Sequence, residues 1–246
     1  TFSEAMNICF LVIQSLKKLL ISKNLSTSVG DEGGFAPMIS KNEEALKLIS
    51  NAIKKAGFVN GRDVSICLDV AANELFKNNK YAIDSKKYIS YKNTILFYSK
   101  IIKRYKIKSI EDPFAENDWK SWSDLHKKEK KIQIVGDDLY VTNLQRLKKG
   151  FLYQSSNSIL IKLNQIGTVS ETLDVIRFAQ NIGYTTIISH RSGDSEDTFI
   201  SDLAVGTNSN QIKTGSLCRS ERVAKFNQLL RIEADLIKSN NMAKLK

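Results

Sequence analysis

Polar and charged residues close six short apolar segments of the sequence. They are Asp69 in CLDVA, Glu111 in SIEDP, Asp137 in VGDD, Lys162 in ILIKLNQIG, His190 in TTIISHRSG and Lys213 in QIKTG. A charged side chain inside a buried strand is costly, but at the carboxyl end of a parallel strand it reaches the edge where active sites form. Six such positions in succession indicate a functional edge.

Three of these residues are carboxylates: Asp69, Glu111 and Asp137. No Cys or His stands beside them, and carboxylate oxygens suit a hard cation such as Mg²⁺. The alternative is that Asp69 and Asp137 cap helices or stabilise loops, which explains single residues better than the set of three. The neighbouring Asp112 and Asp138 face away if the strand pleat continues, so we assign them to structural hydrogen bonds.

The other three residues are Lys162, His190 and Lys213. Two lysines that face one another repel, which lowers the ammonium pKa and makes one of them usable as a base near neutral pH. The apolar neighbours of Lys162 act in the same direction. Arg191 and Ser192, next to His190, could hold a phosphate or a carboxylate. The alternative for His190 is an ordinary core or loop histidine.

The glycine-rich segment VGDEGGFAP lies between two helical patterns rather than after a strand. It is therefore neither a dinucleotide-binding fingerprint nor a phosphate-binding P-loop. Glycines on its carboxyl side would let the backbone carry Glu32 close to a ligand, although a plain turn is the alternative.

Helical and strand patterns alternate along most of the chain. The spacing of apolar residues predicts helices over 2–23, 42–56, 94–105, 169–182 and 221–231. The six closing residues are 42, 26, 25, 28 and 23 residues apart, which indicates one repeated βα unit. Such a repeat predicts a parallel sheet and favours an α/β fold of the (β/α)8 TIM-barrel type, with no internal domain boundary. Six strands are visible where eight are needed, so we expect the other two upstream of residue 1.

Composition excludes several classes of function. The net charge of +11 comes from lysines scattered over 246 residues, so neither nucleic acid nor a membrane is the predicted partner. The charged run HKKEKK at 126–131, which includes His126, predicts a solvated helix end. Three cysteines without a paired spacing predict reduced thiols in a cytoplasmic protein. No run approaches the length of a membrane span, and no signal pattern is visible.

Seven segments, taken in order, resemble enolases. They are VGDEGGFAP, LDVAANE, SIEDPFAENDW, VGDDLYVTN, ILIKLNQIG, ISHRSGDSEDTFISDLAVG and QIKTGSLCRSERVAKFNQLLRIE. The resemblance implies the carboxy-terminal enolase barrel over 1–233, followed by a tail over 234–246. It also implies that the amino-terminal α+β domain and the first two barrel strands of the family are not in this chain, which we therefore expect to be unstable alone.

The resemblance also implies a reaction, the reversible Mg²⁺-dependent dehydration of 2-phosphoglycerate to phosphoenolpyruvate. Asp69, Glu111 and Asp137 would bind the tighter of two Mg²⁺ ions, and Lys162 would remove the C2 proton. Glu32 would help the C3 hydroxyl leave. Arg191 and Ser192 would hold the phosphate, with His190 and Lys213 near the substrate.

Two other functions remain open at the level of the sequence. One is another member of the wider superfamily that acts on a different carboxylate, although GDEGG and SHRSG suit a phosphorylated substrate. The other is an inactive remnant, found at the cell surface or secreted, that binds plasminogen through Lys246. The resemblance further implies a homodimer in the full-length family.

Overall fold

The computed structural model of the protein describes residues 1–83 and 87–238. The helices are α1 (Phe2–Ser22), α2 (Asn42–Lys55), α3 (Tyr91–Tyr105), α4 (Trp119–Lys128), α5 (Leu144–Tyr153), α6 (Leu163–Ile166), α7 (Val169–Asn181), α8 (Phe199–Gly206) and α9 (Ser220–Lys238). The strands are β1 (Cys67–Asp69), β2 (Phe76–Lys77), β3 (Lys80–Tyr81), β4 (Ile89–Ser90), β5 (Ser109–Glu111), β6 (Gln133–Gly136), β7 (Ser158–Ile161), β8 (Thr185–Ser189) and β9 (Gln211–Lys213). All five predicted helices are confirmed.

The six predicted strands are confirmed as one sheet in the order β1-β5-β6-β7-β8-β9. Every pair whose register is defined is parallel, and Asp69 lies opposite Glu111. Each strand ends at, or one residue before, the polar residue identified in the sequence. Because parallel neighbours run the same way, strand ends along one stretch of sheet point to the same edge.

A small antiparallel sheet of β2, β3 and β4 was not predicted. It occupies part of the long interval between Asp69 and Glu111, which explains why that interval is 42 residues rather than about 25. Its strands have only two residues each, too short to give an alternating pattern in the sequence. Tyr81 in β3 is fully buried and donates its hydroxyl to Asp118 at 2.7 Å.

The chain divides into two compact units. The first contains Thr1–Met38, Asn51–Gly57 and the chain from Ile187 onward, and the second contains Ile39–Ser50 and Phe58–Thr186. In the second unit β5 and β7 are buried along their whole length, as expected for parallel strands covered on both faces. Ile110, Ile134 and Ile159 are completely buried there, as are Trp122 and Leu125 of α4.

The first unit is held together by its two longest helices. Thr1 caps α1, and its side chain and backbone nitrogen complete a capping box with Glu4. The Glu233 carboxylate of α9 accepts hydrogen bonds from the amide groups of Phe2 and Ser3. These hydrogen bonds hold the start of α1 against α9. These contacts satisfy amide groups that a helix start leaves without intrahelical partners.

Helix α1 departs from one sequence-based expectation. It has 21 residues with a mean hydropathy of 1.4, enough in length and composition for a membrane span, and only 11% of that window is buried. Because the core helices of soluble proteins and signal sequences reach the same length and hydropathy, these two properties do not assign α1 to a membrane. At the other end α9 continues to Lys238, while 239–246 of the predicted tail, including Lys246, lies outside the described residues.

Candidate active site

Two predicted carboxylates lie directly opposite each other on β1 and β5 of the second unit. Asp69 and Glu111 are register partners at the ends of these parallel strands. Asp69 is exposed, whereas Glu111 is only 6% exposed. Asp137, the third predicted ligand, follows β6 and is also buried. The structure thus places all three at strand ends, as predicted.

The acidic neighbours of these residues make the structural hydrogen bonds predicted for them. Asp112 accepts hydrogen bonds from the amide groups of Asp137 and Asp138, both at 2.9 Å. Asp138 accepts one from the side-chain amide of Asn73 at 2.8 Å. Burial raises the pKa of Asp112 well above its ordinary value, and the charges of Asp137 and Asp138 act in the same direction.

These neighbours also form a possible metal group that sequence reasoning missed. One oxygen from each of Asp112, Asp137 and Asp138 can lie within 4.8 Å of the others. Asp137 therefore belongs both to this group and to the predicted set with Asp69 and Glu111. The consecutive acidic pairs in IEDP and GDDL were the available signal, but the strand alternation argued against using both members of each pair.

Lys162 contacts one of the predicted metal ligands. It follows β7 at the start of α6, and its Nζ donates to Asp137 Oδ2 at 2.5 Å. The two side chains are 15% and 10% exposed. The Lys162 amide donates to Thr142 Oγ1 at 2.9 Å, and Thr142 donates in turn to Gln165 at 3.0 Å. Thr142, completely buried, thus fixes the backbone that carries Lys162 and was missed at the sequence level.

Glu32, in the first unit, lies on a loop that requires glycine at the next position. Gly33 has φ +78°, and a Cβ placed on it would lie 2.5 Å from the Cys218 carbonyl oxygen. The Glu32 carbonyl accepts a hydrogen bond from the Ser216 amide at 2.9 Å, while its side chain remains 48% exposed. The carboxylate lines a cavity of about 350 Å³ together with Cys9 and Phe226.

His190 joins the Glu32 loop to the end of β8. Its side chain is 2% exposed, and its Nε2 lies 3.4 Å from Glu32 Oε2. On the other side of the ring, Nδ1 is 2.8 Å from Nη1 of Arg222. Burial lowers the pKa of His190 to about 4, and the charges of Arg222 and Lys213 contribute, partly offset by Glu32 and Asp194. The imidazole is thus neutral at physiological pH.

The predicted anion-binding residues follow His190 directly. Arg191 is partly buried and Ser192 is exposed, and their carbonyl groups accept hydrogen bonds from Arg222 at 2.7 Å and 2.6 Å. Lys213 closes β9 opposite Ser189, and its carbonyl accepts a hydrogen bond from the His190 amide. Arg191, Ser192 and Lys213 therefore lie at or just after the ends of strands β8 and β9 in the first unit.

Two basic residues of α9 that hold this segment were not predicted. Arg222 is completely buried and Lys225 is 1% exposed. The Lys225 ammonium donates to Asp194 Oδ1 at 3.3 Å and to the carbonyl groups of Ser195 and Glu221. Burial alone would raise the pKa of Asp194, but hydrogen bonds from the Arg191 and Ser195 amides and the Lys225 charge lower it. In the sequence, Arg222 and Lys225 look like the exposed charges of an amphipathic helix.

A parallel sheet of six strands with helices between them places the described residues in the α/β class, in the arrangement of a partial barrel. The model of the family described as "Enolase, C-terminal TIM barrel domain" matches residues 1–245. An enolase of Pelagibacter ubique (strain HTCC1062) is 75% identical over 244 residues, which cover 99% of this chain and 58% of that relative. The chain belongs to the family of enolase carboxy-terminal TIM-barrel domains, as the seven sequence segments predicted.

Proposed function

We propose that the protein containing this chain catalyses the reversible dehydration of 2-phosphoglycerate to phosphoenolpyruvate. The chain spans 58% of the length of its enolase relative, so the activity of the whole relative is a proposal here. The observation that carries it is the contact between Lys162 and Asp137, because residues predicted separately as the base and as a metal ligand lie 2.5 Å apart.

The carboxylates fit a hard divalent cation such as Mg²⁺. Asp69, Glu111 and Asp137 would hold it, since all three stand at strand ends of the second unit and their donor atoms are all oxygens. A bound Mg²⁺ would stabilise the negative charge that develops on the substrate carboxylate. Asp112 would orient the Asp137 backbone through the amide hydrogen bonds described above.

Lys162 and Glu32 would perform the two proton transfers. Removal of a proton from the carbon next to a carboxylate needs a positioned base, and loss of a hydroxyl group needs an acid that can protonate it. Lys162 Nζ would accept the C2 proton, and Thr142 would keep its backbone in place. Glu32, held by the Gly33 turn with its side chain partly exposed, would give a proton to the C3 hydroxyl.

The first unit offers the groups for the anionic parts of the substrate. Arg191 and Ser192 would bind the phosphate, and Lys213 the carboxylate, because each combines a hydrogen-bond donor with a position at a strand end. His190 would donate from Nε2. We also expect a cytoplasmic homodimer, while no feature of the described residues supports plasminogen binding.

Two measurements on the intact protein test this proposal. Phosphoenolpyruvate formation is followed by its ultraviolet absorbance, and exchange of the substrate C2 proton with deuterated solvent is followed by NMR. Lys162→Ala should lose both. Glu32→Gln should lose dehydration but retain C2 exchange, because the base remains. The 3-phosphate isomer of the substrate serves as a control and should not react.

The proposal fails if the folded protein, supplied with Mg²⁺, neither forms phosphoenolpyruvate nor exchanges the C2 proton. Equal C2 exchange in the wild type and in Lys162→Ala would leave the reaction standing but remove Lys162 as the base. Circular dichroism of each variant separates loss of chemistry from loss of fold.

A further inference from the structure

Arg222 is a completely buried cation whose hydrogen bonds go to uncharged acceptors. Nη1 contacts His190 Nδ1 at 2.8 Å and the Arg191 carbonyl at 2.7 Å. Nη2 donates to the carbonyl groups of Ser192 at 2.6 Å and Asp31 at 3.1 Å. Within the described residues, the nearest carboxylate oxygen belongs to Glu221 and lies 3.9 Å from Nε. One side chain of α9 thus binds the loop before Glu32 and the segment after β8.

The contact with His190 determines which ring nitrogen carries a proton. A guanidinium group has only N–H donors and stays protonated in proteins, so it cannot accept a hydrogen bond. At 2.8 Å, Nδ1 of His190 must therefore be the acceptor and have no proton. The neutral ring then carries its single proton on Nε2, the nitrogen that lies 3.4 Å from Glu32.

We propose that Arg222 is a positioning residue that fixes His190 in its Nε2–H tautomer. His190 then acts as a hydrogen-bond donor towards Glu32 or a bound oxygen and does not act as a proton acceptor. Nε2 is buried and has no hydrogen bond of good geometry within the described residues, so this donor is available. The connection to the reaction rests on the proposed function, whereas the tautomer itself does not.

Charged groups on several elements surround His190. Arg222 comes from α9 and Lys213 from β9. Glu32 comes from the loop between α1 and α2, and Asp194 from the loop between β8 and α8. The two cations and burial oppose a second proton on the ring, and the two carboxylates favour it. The neutral form prevails, in agreement with the direction required by the Arg222 contact.

The second histidine of the chain provides an internal contrast. His126 Nδ1 lies 2.8 Å from the Gln154 carbonyl oxygen, which can only accept a hydrogen bond. Nδ1 of His126 must therefore carry a proton, the reverse of His190. The two imidazoles should differ in the state of the same ring nitrogen under the same conditions.

The test is ¹⁵N NMR of the imidazole nitrogens in the intact protein, with His126→Gln and His190→Gln used for assignment. His190 should show a protonated Nε2 and a bare Nδ1 from pH 5 to pH 8, and His126 should show a protonated Nδ1. Arg222→Met should bring protonated Nδ1 into the His190 signals and move the pKa of His190 back towards 6.5. Arg222→Lys keeps the charge and should restore the wild-type tautomer in part.

Lys225→Met is the matched control, because Lys225 holds the same loop from the same helix through Asp194 and Ser195 rather than through His190. It should leave the His190 tautomer unchanged. A protonated Nδ1 in wild-type His190, or an unchanged spectrum in folded Arg222→Met, overturns the inference. If Arg222→Met does not fold, the wild-type spectrum and Arg222→Lys still decide.

The phosphoenolpyruvate assay separates this inference from the proposed function. If the protein shows the predicted His190 tautomer but no dehydratase activity, the role of Arg222 stands and the proposed function is refuted. Dehydratase activity with the opposite tautomer would keep the reaction and remove Arg222 as the residue that positions His190.

Discussion

The Lys162–Asp137 pair of the second unit and Arg222 of the first unit differ in how a positive charge is compensated. In the second unit, Lys162 and Asp137 form a direct ion pair, so a cation and an anion compensate each other. In the first unit the buried guanidinium of Arg222 is held mainly by carbonyl groups and a neutral imidazole. Carbonyl oxygens satisfy the N–H donors but do not remove the positive charge.

This difference suggests distinct chemical tasks. An ion pair that includes a candidate metal ligand suits a group that must exchange a proton or a cation. A positive charge held mainly by dipoles, with its nearest described carboxylate oxygen 3.9 Å away on Glu221, leaves a field that attracts anions, and such a field is strongest where water is excluded. We therefore expect substitutions at the Lys162–Asp137 pair to change the reaction rate, and substitutions at Arg222 and His190 to change pH dependence and anion binding.

The largest effect should follow from Asp137→Asn. The change removes the carboxylate that Lys162 contacts and, with it, a predicted metal ligand, so the dehydration rate should fall by about 10³-fold. Steady-state kinetics of the intact protein measure this loss. Asp124→Asn, which breaks an exposed pair with Lys120, is the control and should remain within about twofold of wild type. Comparable losses in both variants would contradict a special role for Asp137.

The second effect concerns acid stability in the first unit. The His190 pKa is about 4 in the folded protein and 6.5 when unperturbed, so below pH 6.5 the unfolded chain binds a proton that the folded one does not. Stability from this group is complete above pH 6.5 and falls by about 2 kcal/mol at pH 5. His190→Gln should lose less unfolding free energy than wild type between pH 7.5 and pH 5.

Urea unfolding at the two pH values gives this difference. His126→Gln is the matched variant, because His126 is not buried like His190. It should follow the wild-type pH dependence. If His190→Gln also follows it, burial of a neutral His190 does not contribute to acid sensitivity.

A third prediction distinguishes the two possible metal groups of the second unit. Asp69 belongs only to the predicted set, and Asp138 belongs only to the cluster with Asp112. We expect Asp69→Asn to weaken Mg²⁺ binding by about tenfold or more, and Asp138→Asn to weaken it less. Isothermal titration calorimetry with Mg²⁺ measures both dissociation constants. The reverse order would move the ion to the Asp112, Asp137 and Asp138 cluster.

The smallest effect should come from Thr142→Val. The substitution keeps the shape of the side chain but removes the oxygen that accepts a hydrogen bond from the Lys162 amide. Leaving that amide without an acceptor should cost about 1 to 2 kcal/mol in unfolding free energy and reduce the rate only a few fold. Thr142→Ser restores the hydroxyl and should recover both quantities. Full activity and stability in Thr142→Val would mean that this hydrogen bond does not position Lys162.

The sequence predicted the elements of the fold more completely than the contacts of the site. Repeated apolar runs closed by Asp69, Glu111 or Lys213 predicted the six parallel strands, because period and spacing are local properties. The two-residue strands β2, β3 and β4 were missed, since such short segments leave no periodic signal.

Contacts that depend on distant residues could not be read from local patterns. Arg222 and Lys225 stand in a charged helical stretch, and nothing in that stretch indicates that both are buried. Likewise, the sequence predicted repulsion between Lys162 and Lys213 but not the contact between Lys162 and Asp137. Such partners are determined by tertiary packing. A sequence pattern can therefore identify a candidate site residue without identifying the residues that it contacts.

The hydrogen bond from Arg222 to the Asp31 carbonyl also bears on how the chain is made. The two residues are 191 positions apart, and α9 lies near the carboxyl end of the described chain. At a synthesis rate of about 5 to 20 residues per second, the Glu32 loop is synthesised about 10 to 40 s before Arg222 is added. During that interval the loop lacks the contact that joins it to the His190 segment, so the finished arrangement can form only after α9 has been synthesised.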